Sequence, residues 1–391
     1  MPSTGHTRVL EVVGNAIVGG MENCVLRLVE RLPRERFTVT VLCPCESAFT
    51  ERLRALDVEV LTTAIPDDPP WASIMTTCAL VHAGAIDVLH AHMPNAHLLA
   101  GLVGKLCSKP VLATVHSRHV TPMDLEVHRL AGTHVGVVCK HSYFHGLSLG
   151  VNAAQLSCIP NGVDTALFQP GPRGGADDLR RHFAMDDGDP LVGFVGRLSP
   201  EKGPEVFLRA VQLLRGLLPA ARFVLVGDGP MRAGLQAFIE RAGLQGVVHL
   251  AGVREDMPAV YRQLDAVVST SQSEAMPLAL MEAMATGLPL VASHVGGIPD
   301  LVQSGSTGWL VGPRDYEGVA QHVARLFETP GLAARMGARA RERAVQQFDL
   351  ADSVQRTAGL LAQLGGVASR GAIGALPAGG SGRRAGTKAL P

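Results

Sequence analysis

One unit recurs along this chain, a short β-branched run, a turn and an amphipathic helix, and the recurrence stops and restarts once. In the first half "RVLEVVG", "FTVTVLC", "VEVLTT", "DVLHAH", "PVLATVH" and "HVGVVC" read as strands, with helices such as "ENCVLRLVERL" and "NAHLLAGLVGKL" between them. After "IPNGVDTALFQPGPRGGADD", rich in Gly, Pro and Asp, a second series begins: "PLVGFVG", "RFVLVG", "VVHLAG", "DAVVST" and "LPLVAS". Strands that alternate with helices pair in parallel, and a parallel sheet has to be covered on both faces. The predicted fold class is therefore α/β, two doubly wound domains over 1–170 and 171–365 that face each other across a cleft. A long helical pattern fills most of 315–364, and its last helix is able to pack back on the first domain. The segment 366–391 has hardly a large apolar residue and is expected to be a disordered tail.

A chain of 391 residues suits two such domains. Lys plus Arg and Asp plus Glu balance at 35 each, so no net field favours nucleic acid or an anionic membrane, and any anion must be held locally. No window approaches about 18 uninterrupted apolar residues. The expectation is a cytoplasmic protein, with the inner face of the membrane as the alternative location and at most peripheral contact there. All seven cysteines lie before residue 160 without zinc or redox spacing, and read as reduced core thiols.

Open α/β sheets bind ligands beyond the carboxyl ends of their strands, so candidate residues are those in strand-end turns. Gly19 and Gly20 follow the first strand and let backbone amides at a helix start approach a ligand, although a glycine pair also suits a plain turn. Arg197 and Lys202 in "GRLSPEKG" follow the first strand of the second domain. Two cations there suit a diphosphate, and equally a solvated surface. In "TSQSEAMPLALMEAMATGLPLVAS", Pro277 stands where a helix begins and Gly287 where it ends. Glu274 then lies in the loop and Glu282 on the second turn, about 12 Å apart for eight residues at 1.5 Å each. That gap suits two parts of one extended ligand better than a hydrolase-like pair; one capping acid plus one structural acid is the plainer reading. His90, His92, His116 and His119 sit at or near strand ends. A metal is not expected, because no carboxylate or cysteine spacing accompanies them. His116 is instead expected to bond a substrate, and His90 and His92 to shape the acceptor side.

Taken in order, "GGMEN", "DVLHAH", "TVHS", "IPNGVD", "GRLSPEKG", "LVGDGP", "LAGVREDMPAVYRQLD", "SEAMPLALMEAMATGLP" and "GGIPDLVQSGSTGWLV" resemble the retaining nucleotide-sugar glycosyltransferases of family 4 over roughly residues 8–350. The resemblance implies the GT-B fold of two Rossmann-like domains. It implies Arg197 and Lys202 on the donor diphosphate, with the amides of Gly19 and Gly20 approaching from the other domain. Glu274 and the amides near Met276 and Leu278 would hold the sugar, and Glu282 the ribose. Val253 and Arg254 would border the base, and His116 would lie near the transferred sugar. It implies transfer of a hexose or N-acetylhexosamine from a UDP-sugar to an acceptor hydroxyl, in polysaccharide, glycolipid or glycosylated-metabolite biosynthesis, with no cofactor or metal. A GDP-mannose-dependent mannosyltransferase is the first alternative and a nucleotide-sugar epimerase the second. Ala275 stands where many relatives have glycine, and Ser117 where the family often has aspartate, which leaves the donor sugar open. The acceptor would be chosen by first-domain loops, including 62–75 and 116–126.

Overall fold

The computed structural model describes residues 6–17, 19–173, 178–186 and 188–366. The expected tail, beyond Gly366, lies outside the described residues. Two sheets form. The first contains β1 (Thr7–Val13), β2 (Phe37–Cys43), β3 (Glu59–Thr62), β4 (Val88–His92), β5 (Val111–Val115), β6 (His134–Val137) and β7 (Leu156–Cys158), in the order 3-2-1-4-5-6-7. The second contains β8 (Leu191–Val195), β9 (Arg222–Val226), β10 (Val248–Gly252), β11 (Ala266–Ser269), β12 (Leu290–Ser293) and β13 (Gly308–Val311), in the order 10-9-8-11-12-13. Every pairing between these strands is parallel. β7 and β13 were not among the expected strands. Both are sheet edges of three or four residues, too short for a pattern to declare itself.

Burial explains why the strands read as apolar runs rather than alternations. Val9, Leu10, Val12 and Val13 of β1 are all solvent-free, because helices cover both faces of the sheet. In the second sheet Phe207, Leu208, Val211 and Leu214 of the helix Pro204–Leu217 fill one face, packed with Phe194, Phe223 and Val268. Met281, Ala283 and Met284 of the helix Leu278–Ala285 pack on the other face with Val224 and Val267.

The single long helical pattern after 315 resolves into three helices, Tyr316–Glu328, Leu332–Gln347 and Leu350–Leu364. The first break comes at "TPG", where Pro330 removes a backbone donor and Gly331 takes a left-handed φ of +68°. The second comes at Asp349, whose carboxylate accepts from the Ala351 amide and caps the last helix. That last helix crosses to the first sheet. Leu350, Val354, Ala358 and Leu361 join Val9, Leu28, Val88 and Leu112 in one apolar cluster. All seven cysteines are free, but only Cys43, Cys78 and Cys139 are buried, and Cys45 is exposed, which corrects the expectation that all are core thiols. Among the described residues no helix is long and apolar enough to cross a membrane.

Leu361 is fully buried although it belongs to the last helix of the chain. Leu361→Ala is expected to lower unfolding free energy by about 2–5 kcal/mol in urea titration, whereas exposed Gln363→Ala should stay within about 0.5 kcal/mol.

Candidate functional site

Each strand order reverses once, between β1 and β4 in the first sheet and between β8 and β11 in the second. A crevice opens at such a reversal because the connections leave toward opposite faces. The loops after β1, β8 and β11 carry Gly19 and Gly20, the Arg197–Lys202 turn and the 270–277 loop, while His90 and His92 lie within β4 and His116 and His119 follow the neighbouring β5. They are the segments singled out in the sequence.

Gly20 opens the helix Gly20–Arg31, and a methyl built there would meet no atom within 4 Å, so the backbone at this point stands clear for a ligand. Glu22, almost fully buried, turns its carboxylate back on the same helix start. Burial raises its pKa, opposed by the amides of Glu22 and Gly19. On the facing domain Arg197 is exposed and its guanidinium makes no hydrogen bond or ion pair among the described residues, though its charge helps lower the Glu201 pKa after that residue's bond from Ser199.

Lys202 and Glu274, which the sequence separates by 72 positions, are paired: Nζ lies 2.6 Å from Oε1. Ser271 also donates to Oε1, at 2.8 Å, leaving Oε2 without a partner among the described residues. The loop that delivers Glu274 is pinned from behind. Gly297 donates its amide to the Glu274 carbonyl, and Gly296, at φ +50°, lies so close that a Cβ would stand 1.7 Å from that oxygen. Met276 is buried and its carbonyl accepts from Asn161 Nδ2 at 3.1 Å, a bond between the connecting segment and the loop. The helix starts at Leu278 with Pro277 as its N-cap, one position later than the sequence suggested. Val253 is largely exposed and Arg254 partly so, both on the turn after β10.

Glu282 is buried, and its carboxylate is held from both sides. Arg27 reaches from the first domain to Oε1 at 2.8 Å, and Tyr261 donates its hydroxyl to Oε2 at 3.2 Å. Burial raises the Glu282 pKa, and Arg27 and then Tyr261 oppose that. A carboxylate has about four lone-pair sites, so two remain for a ligand.

His90 and His92 are 1% and 2% exposed and meet Glu11, which is 0% exposed, while both still line the cavity that His116 borders. His90 Nδ1 lies 3.0 Å from Glu11 Oε1, and His92 Nε2 lies 2.8 Å from Oε2. Burial opposes ionisation of Glu11, but the two imidazoles outweigh it and hold its pKa at about 2. Beyond them His92 Nδ1 lies 2.9 Å from His116 Nε2. His116 has its pKa pushed well down by burial and then by His92 and His90. Its Nδ1 is buried with no partner among the described residues, as is Arg27 Nη1. Both residues line one cavity with His92, Asn161 and Ser353.

Glu11, Arg27 and Tyr261 went unnoticed in the sequence. Glu11 had a signal, an acid in the middle of the apolar run "RVLEVV", placed by register opposite His90. Arg27 and Tyr261 had none, because each lies on an ordinary amphipathic helix and acquires its partner only through tertiary contact.

Two parallel sheets whose reversal points face one cleft, with cations and acids at the mouth, define the nucleotide-sugar transferase class with the GT-B fold. The chain belongs to family 4 of the glycosyltransferases and is a retaining hexosyltransferase that uses a nucleotide sugar: residues 18–167 match Glycosyltransferase Family 4, and residues 176–343 match Glycosyl transferases group 1. It is 27% identical to the UDP-Gal:alpha-D-GlcNAc-diphosphoundecaprenol alpha-1,3-galactosyltransferase of Escherichia coli, over 87% of this chain and 92% of that one. It is 29% identical to the GDP-mannose-dependent alpha-(1-6)-phosphatidylinositol monomannoside mannosyltransferase of Mycolicibacterium smegmatis, over 77% and 82% respectively. The crystal structure of Anabaena HepE in complex with UDP-glucose matches with a TM-score of 0.80 and 25% identity, covering 92% of this chain and all of that one.

Removing one partner of the Arg27–Glu282 pair leaves a charge with little solvent. Arg27→Ala is expected to cost about 3 kcal/mol in urea titration, and Arg27→Met combined with Glu282→Gln to recover most of it. A pH dependence follows from His92, whose folded-state pKa of about 4 lies below its ordinary 6.5, through burial and then the neighbouring His90. The unfolded chain therefore binds the extra proton between these values, so stability is fully present above pH 6.5 and is lost as pH falls toward 4. The loss should be on the order of 3 kcal/mol, read as a falling Tm over that window, and His92→Gln should flatten it.

Proposed function

We propose that the protein transfers a hexose or N-acetylhexosamine from a UDP-sugar to an acceptor hydroxyl, with residues 1–170 binding the acceptor and 171–365 the donor. The observation that carries this reading is the Lys202–Glu274 pair at the second sheet's reversal point. An ammonium has three donors, and only one is used by Glu274, so two remain for a diphosphate. Glu274 keeps Oε2 for a sugar hydroxyl. The pair thus ties the phosphate grip to the sugar grip, so that the glycosidic bond lies between them.

Arg197 joins Lys202 on the diphosphate, and the amides at Gly19 and Gly20 meet it from the opposite domain. The helix start near Met276 and Leu278 supports the sugar, Glu282 takes a ribose hydroxyl on its remaining lone pairs, and Val253 and Arg254 border the base. His116 faces the transferred sugar. Departure of the nucleotide concentrates negative charge on the diphosphate, where Arg197, Lys202 and helix amides are already aimed, so positive charge is supplied by side chains and no metal is called for. The leaving diphosphate then helps deprotonate the acceptor hydroxyl on the same face of the sugar, which retains the anomeric configuration. A UDP donor is supported by the E. coli relative and by the UDP-glucose complex of HepE, and a GDP-mannose donor by the mycobacterial relative. The seven free thiols favour a cytoplasmic reaction, at the inner membrane face if the acceptor is lipid-linked.

A thermal-shift panel of UDP-, GDP- and ADP-sugars should select UDP-sugars, and selection of GDP-mannose would replace the donor. Donor incubated without acceptor should not be epimerised. Lys202→Ala should lower kcat/KM by about 100-fold or more with Tm little changed, and turnover near wild type would remove the diphosphate role. Glu282→Gln should raise the donor KM by about tenfold, and an unchanged KM would remove the ribose role.

A further inference from the structure

Glu11 lies outside the donor-binding set, buried on a strand between the apolar Val9, Leu10, Val12 and Val13, and a carboxylate there is costly unless it does something besides fill space. Its hydrogen-bond geometry imposes a direction on everything beyond it. An ionised carboxylate can only accept, so His90 Nδ1 and His92 Nε2 must both carry protons to donate to it. A neutral His92 with its proton on Nε2 has a bare Nδ1, which can only accept. His116 Nε2, 2.9 Å away, must therefore be the donor. A neutral His116 protonated at Nε2 has a bare lone pair on Nδ1, and Nδ1 is the buried atom without a partner among the described residues. The pKa of His92, about 4, and the lowered pKa of His116 fit two neutral rings. A cationic His92 would reverse the last bond and make His116 Nδ1 a donor.

We propose that Glu11 is a positioning residue that, through His92, sets the tautomer of His116 and leaves its Nδ1 as the acceptor for a hydroxyl of the transferred sugar. The sugar contact rests on the reading of His116 given above; the tautomer chain does not. Three features of the structure support the chain independently of that reading. Glu11 and His90 face each other in strand register, so the carboxylate is delivered by backbone pairing. Both carboxylate oxygens are engaged by imidazoles. The far end of His90 is closed by Thr114 Oγ1 at 2.8 Å, which confines the open end of the relay to His116. With Nδ1 as acceptor, the site favours a ligand that presents an O–H and disfavours one that presents a lone pair, a filter set by a carboxylate two hydrogen bonds away.

Glu11→Gln is the same shape with one oxygen exchanged for an amide. Its carbonyl can still accept from His90, while its N–H would face His92 and drive the proton to Nδ1, then the His116 proton to its own Nδ1. The test is long-range 1H–15N NMR of histidine-labelled protein at pH 7, with the His116 signals identified by their loss in His116→Asn. Wild-type His116 is expected to be protonated at Nε2, and Glu11→Gln to move the proton to Nδ1 and lower kcat/KM for the donor by about tenfold. A wild-type ring protonated at Nδ1, or an imidazolium, overturns the chain even if Glu11→Gln fails to fold. So does stoichiometric zinc in the purified enzyme, because Glu11, His90 and His92 present donor atoms within 4.8 Å of one another that a metal would use in place of protons. A tautomer that moves while donor kinetics stay unchanged overturns the sugar contact and, with it, the assignment of His116, whereas the donor roles of Lys202 and Glu274 stand or fall by their own variants.

Discussion

Burial raises the pKa of Glu282, and Arg27 of the other domain, meeting it inside the protein, opposes that rise. Without that partner, burial would favour the neutral acid more strongly, and a neutral acid has fewer free lone pairs with which to accept. The bond does two things at once: it opposes the rise that burial imposes on the Glu282 pKa, and it ties the first helix of one sheet to the helix that follows β11 of the other. Asn161 to Met276 and Lys140 to Asp300 add to the same seam. The cleft therefore has a defined width, and the groups on its two walls are held at set positions before a ligand arrives, which is the condition for electrostatic stabilisation without reorganisation.

The two walls handle charge differently. The wall from the second sheet carries paired, partly exposed charges, Lys202 with Glu274 and an exposed Arg197, suited to a ligand that brings its own negative charge. The wall from the first sheet is built on buried imidazoles over one deeply buried carboxylate, suited to directing hydroxyl groups. This division follows from position in the fold. The second sheet opens its reversal point through loops that water reaches, whereas the first sheet is closed at the same place by the helix Leu350–Leu364, which returns to cover it.

Much of the fold was legible in advance, because a doubly wound sheet imposes strict alternation of strand and helix and buries its strands on both faces. Eleven of the thirteen strands among the described residues could be read for that reason. β7 and β13 could not, since three or four residues at a sheet edge carry no period. The three-way division after 315 was legible in principle at Pro330 and Gly331, but a continuous apolar stripe masked it. In the site, the acids, cations and glycines of strand-end turns could be picked out because those places need special backbone and accept charge. What His90 and His92 bond was not legible, because β-strand alternation gives the direction of a side chain but not what lies opposite it.

The order of elements, the two reversal points and the candidate donor groups follow from the sequence by itself, because each depends on local propensity, periodicity and the chirality of parallel connections. Which of those groups are charged, and what each can still accept or donate, was decided only by the tertiary structure. Lys202 becomes a shared group through Glu274, Glu282 stays ionisable through Arg27 and Tyr261, and His116 takes its direction from Glu11. Each of these depends on desolvation and on partners separated by 21 to 255 positions, or on two hydrogen bonds in series, and neither is written in a local pattern.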